Sequence, residues 1–132
     1  MRAVFLLALV ILLAACGGPT SQAALTTLEG EWAGTITSVP YQATEAVNVS
    51  VGPKSGDTDL HPAVFEGFGT SLDRTVYCRS ADLVEVECFR YGYNSWSISM
   101  HGTIQGRTWS GNFVFSDPVY GPDNGTFRFT KQ

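Results

Sequence analysis

Residues 95–104, Ser-Trp-Ser-Ile-Ser-Met-His-Gly-Thr-Ile, alternate between polar and apolar positions without a break. A period of two residues is that of a β-strand with one face buried and the other in water. After a turn at Gln105-Gly106, residues 108–115 continue the alternation and place their aromatic side chains mainly on one face. Two such strands joined by so short a turn predict a β-hairpin with an aromatic inner face.

The rest of the chain from Leu28 onward follows the same pattern, and no window sustains the 3.6-residue period of a helix. Further strands are predicted around residues 31–37, 46–51, 63–69, 76–78, 84–88 and 127–130. In the 63–69 segment Phe65 and Phe68 have opposite parity, so the buried face of that strand stays undetermined. The predicted fold is all-β: a small antiparallel up-and-down meander of about eight strands. A closed barrel is favoured over a sandwich, because closure removes exposed strand edges.

The first fifteen residues differ in composition from the rest of the chain. Arg2 carries their single charge, and an apolar run of 13 residues follows from Ala3 to Ala15. A helix that crosses a bilayer needs about 20 apolar residues, whereas the apolar region of an export signal has about 7–15. Residues 1–15 are therefore predicted to be a signal peptide that the mature protein lacks.

The end of this run, Leu13-Ala14-Ala15-Cys16, resembles the lipobox of bacterial lipoproteins. The resemblance implies cleavage before Cys16 and a thiol that carries acyl chains, palmitate among them, which anchor the protein to a membrane. Gly17 in place of an aspartate is similar to enterobacterial signals that permit the outer membrane. We therefore expect a lipoprotein of the cell envelope, on the outer membrane and facing the periplasm or the cell surface. The alternative is an ordinary secretory signal with an incidental cysteine.

The mature chain is predicted to consist of a lipidated cysteine with a flexible tether (16–27) and a single β-barrel domain (28–132). The chain has 8 Lys and Arg residues and 12 acidic residues; without Arg2 the basic count falls to 7, and the net charge is −5. An acidic chain without a cluster of Lys or Arg argues against binding to nucleic acid and against polybasic attachment to anionic lipid.

Two cysteines remain once Cys16 is assigned to lipid. Cys78 and Cys88 belong to neighbouring predicted strands that turn near residues 80–83, which places them opposite each other. Exported proteins live where disulfides persist, so we predict a bridge between them. Nine intervening residues are far from the C-x-x-C spacing of the alternatives, a redox or zinc site.

Gly30-Glu31-Trp32 on the first strand and Arg128 on the last resemble the pattern of the lipocalins and avidins, the calycins. The resemblance implies a closed barrel in which the guanidinium of Arg128 stacks on the indole of Trp32 and seals one end. The alternative is an ordinary core tryptophan.

The inner face of such a barrel would be apolar and rich in aromatic residues. An eight-stranded barrel is just wide enough to be filled by side chains or to hold one small ligand. The aromatics favour filling, and a lipophilic cavity stays open as the alternative. The candidate cavity residues are Trp32, Trp96, Met100, Trp109 and Phe113. Three glycines on the same face, Gly34, Gly102 and Gly111, indicate strong coiling or close packing under a large neighbour such as a tryptophan.

Residues suited to catalysis or metal binding are few. His61 falls in a predicted loop and His101 on the polar face of its strand, and neither belongs to a metal-ligand or nucleophile motif. The acidic runs at 57–59 and 123–124 have too few oxygen ligands for an EF-hand loop and indicate turns. We expect no enzyme activity, no metal and no cofactor.

A candidate interface lies on the predicted strand that contains Cys88. Glu85, Glu87, Phe89 and Tyr91 share its opposite face, and aromatics beside carboxylates are common where proteins meet. Val76-Tyr77-Cys78, followed by this acidic, valine-rich strand, resembles the membrane-bound inhibitors of c-type lysozyme, which are also small lipoprotein barrels. The alternative is a solvated strand face.

Two functions follow from the sequence. The leading one is a lipid-anchored, non-enzymatic β-barrel of the envelope that binds a small apolar ligand or serves a structural role. The second is a protein-binding module, such as an inhibitor of a secreted hydrolase.

Overall fold

The computed structural model describes residues 25–67, 75–91 and 95–132. Its regular elements are all β-strands, and no helix in these ranges is long and apolar enough to cross a membrane. The strands are β1 (Gly30–Ser38), β2 (Ala43–Val51), β3 (His61–Glu66), β4 (Val76–Arg79), β5 (Glu85–Arg90), β6 (Ser97–Gln105), β7 (Thr108–Asp117) and β8 (Gly121–Lys131). The predicted signal peptide, Cys16 and most of the predicted tether lie outside the described residues.

The strands form one closed barrel. Each strand pairs antiparallel with the next, and β8 returns to pair with β1 along residues 125–131. The hairpin predicted from the two most regular segments is β6 and β7, whose register runs from Ser97 opposite Ser116 to Gln105 opposite Thr108. The all-β meander, its closure and its eight strands are confirmed.

Two local predictions were wrong. The acidic run at 123–124, predicted to be a turn, lies within β8, which begins at Gly121 after β7 has extended to Asp117. Backbone pairing outweighs composition there, because Phe115 lies opposite Asp123 and Gly125 lies opposite Ser38 of β1. His61, placed in a loop by sequence, is the first residue of β3 and is buried.

The pairing of β2 with β3 also determines which face of β3 is buried, a question that the sequence left open. Val49 lies opposite Phe65, and both side chains are buried, so Phe65 points into the barrel. Phe68 lies outside the described residues.

The predicted disulfide is present. Cys78 of β4 lies opposite Cys88 of β5, and their sulfur atoms are bonded at 2.06 Å. Both cysteines are fully buried. A cross-link that closes a loop of about ten residues stabilises a fold by about 3 kcal/mol in the chain-entropy model, a large share for a small domain.

The core consists of the inward residues of all eight strands together with Leu28. At its centre Trp109 makes edge-to-face contacts with Trp32, Phe127 and Phe129, with ring centroids 5.2–5.7 Å apart. Phe65 extends this cluster through Phe129. Aromatic pairs in this geometry add about 0.5–1.5 kcal/mol each to the area they bury.

Candidate functional site

One end of the barrel, which we call the Trp32 end, is sealed by Leu28, Trp32 and Lys131. The Trp32 indole donates a hydrogen bond to the Leu28 carbonyl at 3.0 Å. The Lys131 ammonium lies 4.9 Å from the centroid of the Trp32 ring and donates to the carbonyls of Leu28 and Glu29. Burial, followed by the neighbouring positive charge of Arg107, lowers the pKa of Lys131 below its ordinary value.

The cation over Trp32 was therefore assigned to the wrong residue. Arg128 lies opposite Thr35 and Ser110 and is exposed on the outer face of the barrel. Side chains alternate along β8, so Lys131, opposite Trp32 in the register, is the residue that reaches the end of the core.

Replacing Lys131 with methionine should lower the free energy of unfolding by about 1 kcal/mol, because the cation–π contact and the bonds to two carbonyls are lost while the alkyl chain is kept. Arg128→Met is the matched control and should change stability by less than about 0.5 kcal/mol, as expected of an exposed site. Urea unfolding of both variants measures the difference; a larger loss for Arg128→Met would contradict this assignment of the seal.

The residues predicted to line a cavity lie in two places. Trp32, Met100, Trp109 and Phe113 are at most 1% exposed and belong to the packed core. A ligand among them would have to displace the ring contacts that Trp109 makes at the barrel centre. Trp96, by contrast, is only partly buried and lies just before β6 at the opposite end of the barrel.

Arg90 and Trp96 form the second end of the barrel, the Trp96 end, together with Phe115. The Arg90 guanidinium carbon lies 3.8 Å from the Trp96 ring centroid, and its Nη1 donates to the Trp96 carbonyl at 2.7 Å. Trp96 in turn packs on Phe115 with centroids 6.0 Å apart. The Trp96 end is thus built around a cation–π contact between Arg90 and Trp96 at the rim of the core.

A concave feature lies on the outside of the barrel, where β4 to β7 and the β4–β5 turn line a groove of about 710 Å³. We call it the β5 groove. At its floor Gly102 of β6 lies opposite Gly111 of β7. Its charged and polar lining comes from Asp59, Arg79, Ser80, Asp82, Glu85, Glu87, His101, Thr103, Ser110 and Asn112.

Glu87 is the centre of a row of polar side chains across this groove. Arg79 donates to Glu87 Oε2 through both Nε and Nη2, at 2.9 and 2.7 Å. His101 Nε2 lies 3.6 Å from Glu87 Oε1 on the other side. The hydrogen bond to Glu87, followed by its charge, raises the pKa of Arg79. The row follows from the register, since Arg79, Glu87 and His101 lie side by side on three adjacent strands.

Glu85 and Asp82 lie at the β4–β5 turn. Asp82 Oδ1 accepts the backbone N–H groups of Val84 at 2.9 Å and Glu85 at 3.0 Å, and these bonds, led by that of Glu85, lower the pKa of Asp82. Asp82 is therefore a stably charged carboxylate that fixes the turn. The side chain of Glu85 is exposed and forms no ion pair in the described part of the chain.

Three of the four predicted interface residues, Glu85, Glu87 and Phe89, lie on the outer face of β5. Glu85 and Glu87 line the groove, and Tyr91 follows directly beyond the end of the strand. Tyr91 is 78% exposed and stacks on Phe89 with ring centroids 5.7 Å apart. The guanidinium carbon of Arg79 lies 5.5 Å from the centroid of the same Phe89 ring. We call Glu85, Glu87, Phe89 and Tyr91 the β5 outer face. Tyr93, the next aromatic in sequence, lies outside the described residues.

The remaining candidate residues, His61 and Asp123, form hydrogen bonds within the fold. His61 Nδ1 lies 2.9 Å from the Gly52 carbonyl, a hydrogen bond beside the β2–β3 connection. Asp123 accepts a hydrogen bond from Ser38 at 2.6 Å, which ties β8 to the end of β1. Within residues 25–67, 75–91 and 95–132, no group of three or more His, Cys, Asp or Glu side chains is arranged to hold a metal ion.

The sequence missed the groove itself. It placed Glu85 and Glu87 on a shared face and His101 on a polar face, but it did not bring Arg79, His101 and Asn112 beside them. The alternation along four strands indicates which side chains point outward. Which of these side chains lie next to each other depends on the register between the strands. Comparisons with protein-family models, curated proteins and solved structures find no match for this chain.

Proposed function

We propose that this chain is a lipid-anchored, non-enzymatic protein-binding module of the bacterial cell envelope that acts as an inhibitor of a secreted hydrolase. The observation that carries the proposal is the contrast between the two faces of the barrel wall. The inner face is filled by mutually packed side chains, whereas the outer face of β4 to β7 has a groove of about 710 Å³ lined by charged residues.

The β4–β5 hairpin supports the inhibitor class. It contains both segments that resemble the inhibitors of c-type lysozyme, Val76-Tyr77-Cys78 and the acidic strand that follows. The disulfide between Cys78 and Cys88 cross-links the two strands of this hairpin. The outward side chains of the hairpin form one wall of the groove. A rigid hairpin with an exposed aromatic at its end is suited to binding, because little side-chain freedom is lost on docking.

The groove is a better surface for binding than for catalysis. His101 and Glu87 meet at 3.6 Å, but the His101 side chain is 69% exposed, and Glu87 is already held by Arg79. Acid–base chemistry is favoured in a site that closes around the substrate and excludes water, whereas His101 lies on an open face of the barrel.

The anchor is tested by the intact mass of the protein from its native host. We expect a mature chain that begins at Cys16 and carries the mass of its acyl chains, and that fractionates with membranes. Cys16→Ser should remove both properties. An unmodified thiol on a chain that keeps residues 1–15 would overturn the anchor and the envelope location together.

Binding is tested with c-type lysozyme as the probe. The mature lipoprotein in detergent should form a complex with lysozyme in sedimentation velocity and slow its hydrolysis of cell walls. Tyr91→Ala should weaken the complex about tenfold, the usual effect of losing an exposed aromatic anchor. Tyr120→Ala is the matched control, because Tyr120 is 81% exposed on the β7–β8 turn. No complex and no inhibition by the unmutated protein would overturn the inhibitor assignment.

A further inference from the structure

Two neighbouring turns at the end of the barrel away from the Trp32 end expose a group of apolar side chains. Four of the eight large hydrophobic residues that are exposed in the described part of the chain lie there: Val39, Tyr41, Val119 and Tyr120. Each of the four is 61–81% exposed. We call these turns, residues 39–42 between β1 and β2 and residues 118–120 between β7 and β8, the tyrosine tip. A single exposed apolar residue is ordinary, whereas a group of them indicates a contact surface.

Hydrogen bonds join the two turns and hold their backbone. The Tyr41 hydroxyl donates to the Tyr120 carbonyl across the turns at 3.5 Å. Asp117 Oδ1 accepts the N–H groups of Val119 at 2.7 Å and Tyr120 at 3.0 Å. Each turn also contains one proline, which fixes a backbone dihedral angle. The tip is therefore one preformed projection, and a contact made through it orders little additional backbone.

The composition of the tip suits the interface of a lipid bilayer. Neither turn contains a charged residue, so insertion removes no charged side chain of the turns from water. Tyrosine combines an apolar ring with a polar hydroxyl and is enriched at the level of the lipid headgroups. Attraction to anionic lipid depends on Lys and Arg side chains, which both turns lack. The chemistry thus favours uncharged, zwitterionic lipid.

The chain between the predicted lipid anchor and the barrel is long enough for the tip to reach the same membrane. Leu28, which seals the Trp32 end, follows Cys16 by twelve positions. Twelve residues span at most ~40 Å. The 11 residues of β8 correspond to about 25–30 Å along the barrel axis at the usual strand rise and tilt. The barrel can therefore stand on the tip while Cys16 stays in the bilayer.

We propose that the tyrosine tip is a second membrane contact, which inserts into the zwitterionic lipid interface of the membrane that holds the acylated Cys16. This inference rests on the proposed lipid anchor and adds the orientation of the domain. The tip surrounds the ends of β1 and β8, which lie opposite β4 and β5 in the closed order of strands. A barrel that leans on the tip keeps the β5 outer face in water, where a protein partner can reach it.

The test adds one tryptophan at a time to the mature lipoprotein in vesicles of brominated phosphatidylcholine, whose bromine atoms quench nearby tryptophan. Tyr120→Trp and Tyr41→Trp place the probe on the tip, and Val84→Trp places it on the exposed β4–β5 turn at the opposite end. Emission of the unmutated protein is subtracted from each variant. We expect about twofold quenching of both tip probes, as for rings at the boundary of headgroups and acyl chains, and none of Val84→Trp.

Three results would overturn the inference. Quenching of Val84→Trp in place of the tip probes would show that the barrel rests on its anchored end. Quenching of none of the three probes would show that the domain stands clear of the bilayer, which would leave the tip to a protein partner. Stronger quenching of the tip probes after phosphatidylglycerol is added would show that an anionic surface is preferred, contrary to the uncharged composition of the turns.

Flotation of the same vesicles separates this inference from the proposed function. Protein that does not float with the vesicles rejects the anchor and the inference with it. Protein that floats without quenching of Tyr120→Trp keeps the anchor and overturns the role of the tip. The lysozyme complex is measured in detergent, so its presence or absence is independent of the contact with lipid.

Discussion

Replacing Gly111 with alanine should cost the barrel about 3 kcal/mol or more of its free energy of unfolding. A Cβ atom at this position would lie 2.0 Å from the His101 carbonyl oxygen and 2.4 Å from the Gly102 Cα atom. Both are backbone atoms of the paired strand β6, so no side-chain rotation relieves the overlap. The two strands would have to separate where they are bonded, at the floor of the β5 groove.

Gly106→Ala is the control for this prediction. Gly106 lies in the β6–β7 turn with a φ of 60°, and a Cβ atom there meets nothing within 4 Å. Its substitution should cost only about 1 kcal/mol, the strain of a left-handed alanine. Urea unfolding followed by circular dichroism compares the two variants. Similar urea midpoints would show that β6 and β7 separate at Gly111 at little cost in free energy. The close approach of the two strands would then not determine the shape of the barrel wall.

The close packing at Gly102 is one of the features that sequence parity predicts well. Gly102 falls on the apolar face, and a Cβ atom there would lie 2.7 Å from the Phe127 ring and 2.9 Å from Trp109 Nε1. Glycine on the inner face of a strand beside aromatic residues thus indicated a large neighbour correctly. The same period-two argument predicted the strands, their hairpins and the disulfide, because each depends on residues close in sequence.

What sequence could not predict depends on contacts between distant segments. The resemblance to the calycins placed Arg128 over Trp32, because the first and last strands adjoin in a closed barrel, yet the register puts Lys131 opposite Trp32. The groove is a row across four strands, and a shift of one residue in any pairing would have pointed its members inward. The extended course of residues 121–125 likewise reflects pairing with β7, and at Gly125 also with β1, which local composition does not reveal.

Replacing Trp109 with alanine should destabilise the protein by about 4 kcal/mol, within the range for a buried tryptophan, through lost burial and the cavity left behind. Trp109 is fully buried and contacts three aromatic rings. Trp96→Ala is the control: Trp96 is only partly buried at the rim, so the same truncation should cost about 2 kcal/mol or less. Equal losses in urea unfolding would contradict a core centred on Trp109.

Phenylalanine at the two buried tryptophans separates packing from hydrogen bonding. Trp109 Nε1 has no hydrogen-bond partner in the described structure, whereas Trp32 Nε1 donates to the Leu28 carbonyl and its ring carries the Lys131 ammonium. Both substitutions remove similar volume, but only Trp32→Phe removes a hydrogen bond, and the Leu28 carbonyl then keeps Lys131 alone as its side-chain donor. We therefore expect Trp32→Phe to be less stable than Trp109→Phe by about 1 kcal/mol. The reverse order would mean that the Trp32 end is held by packing alone.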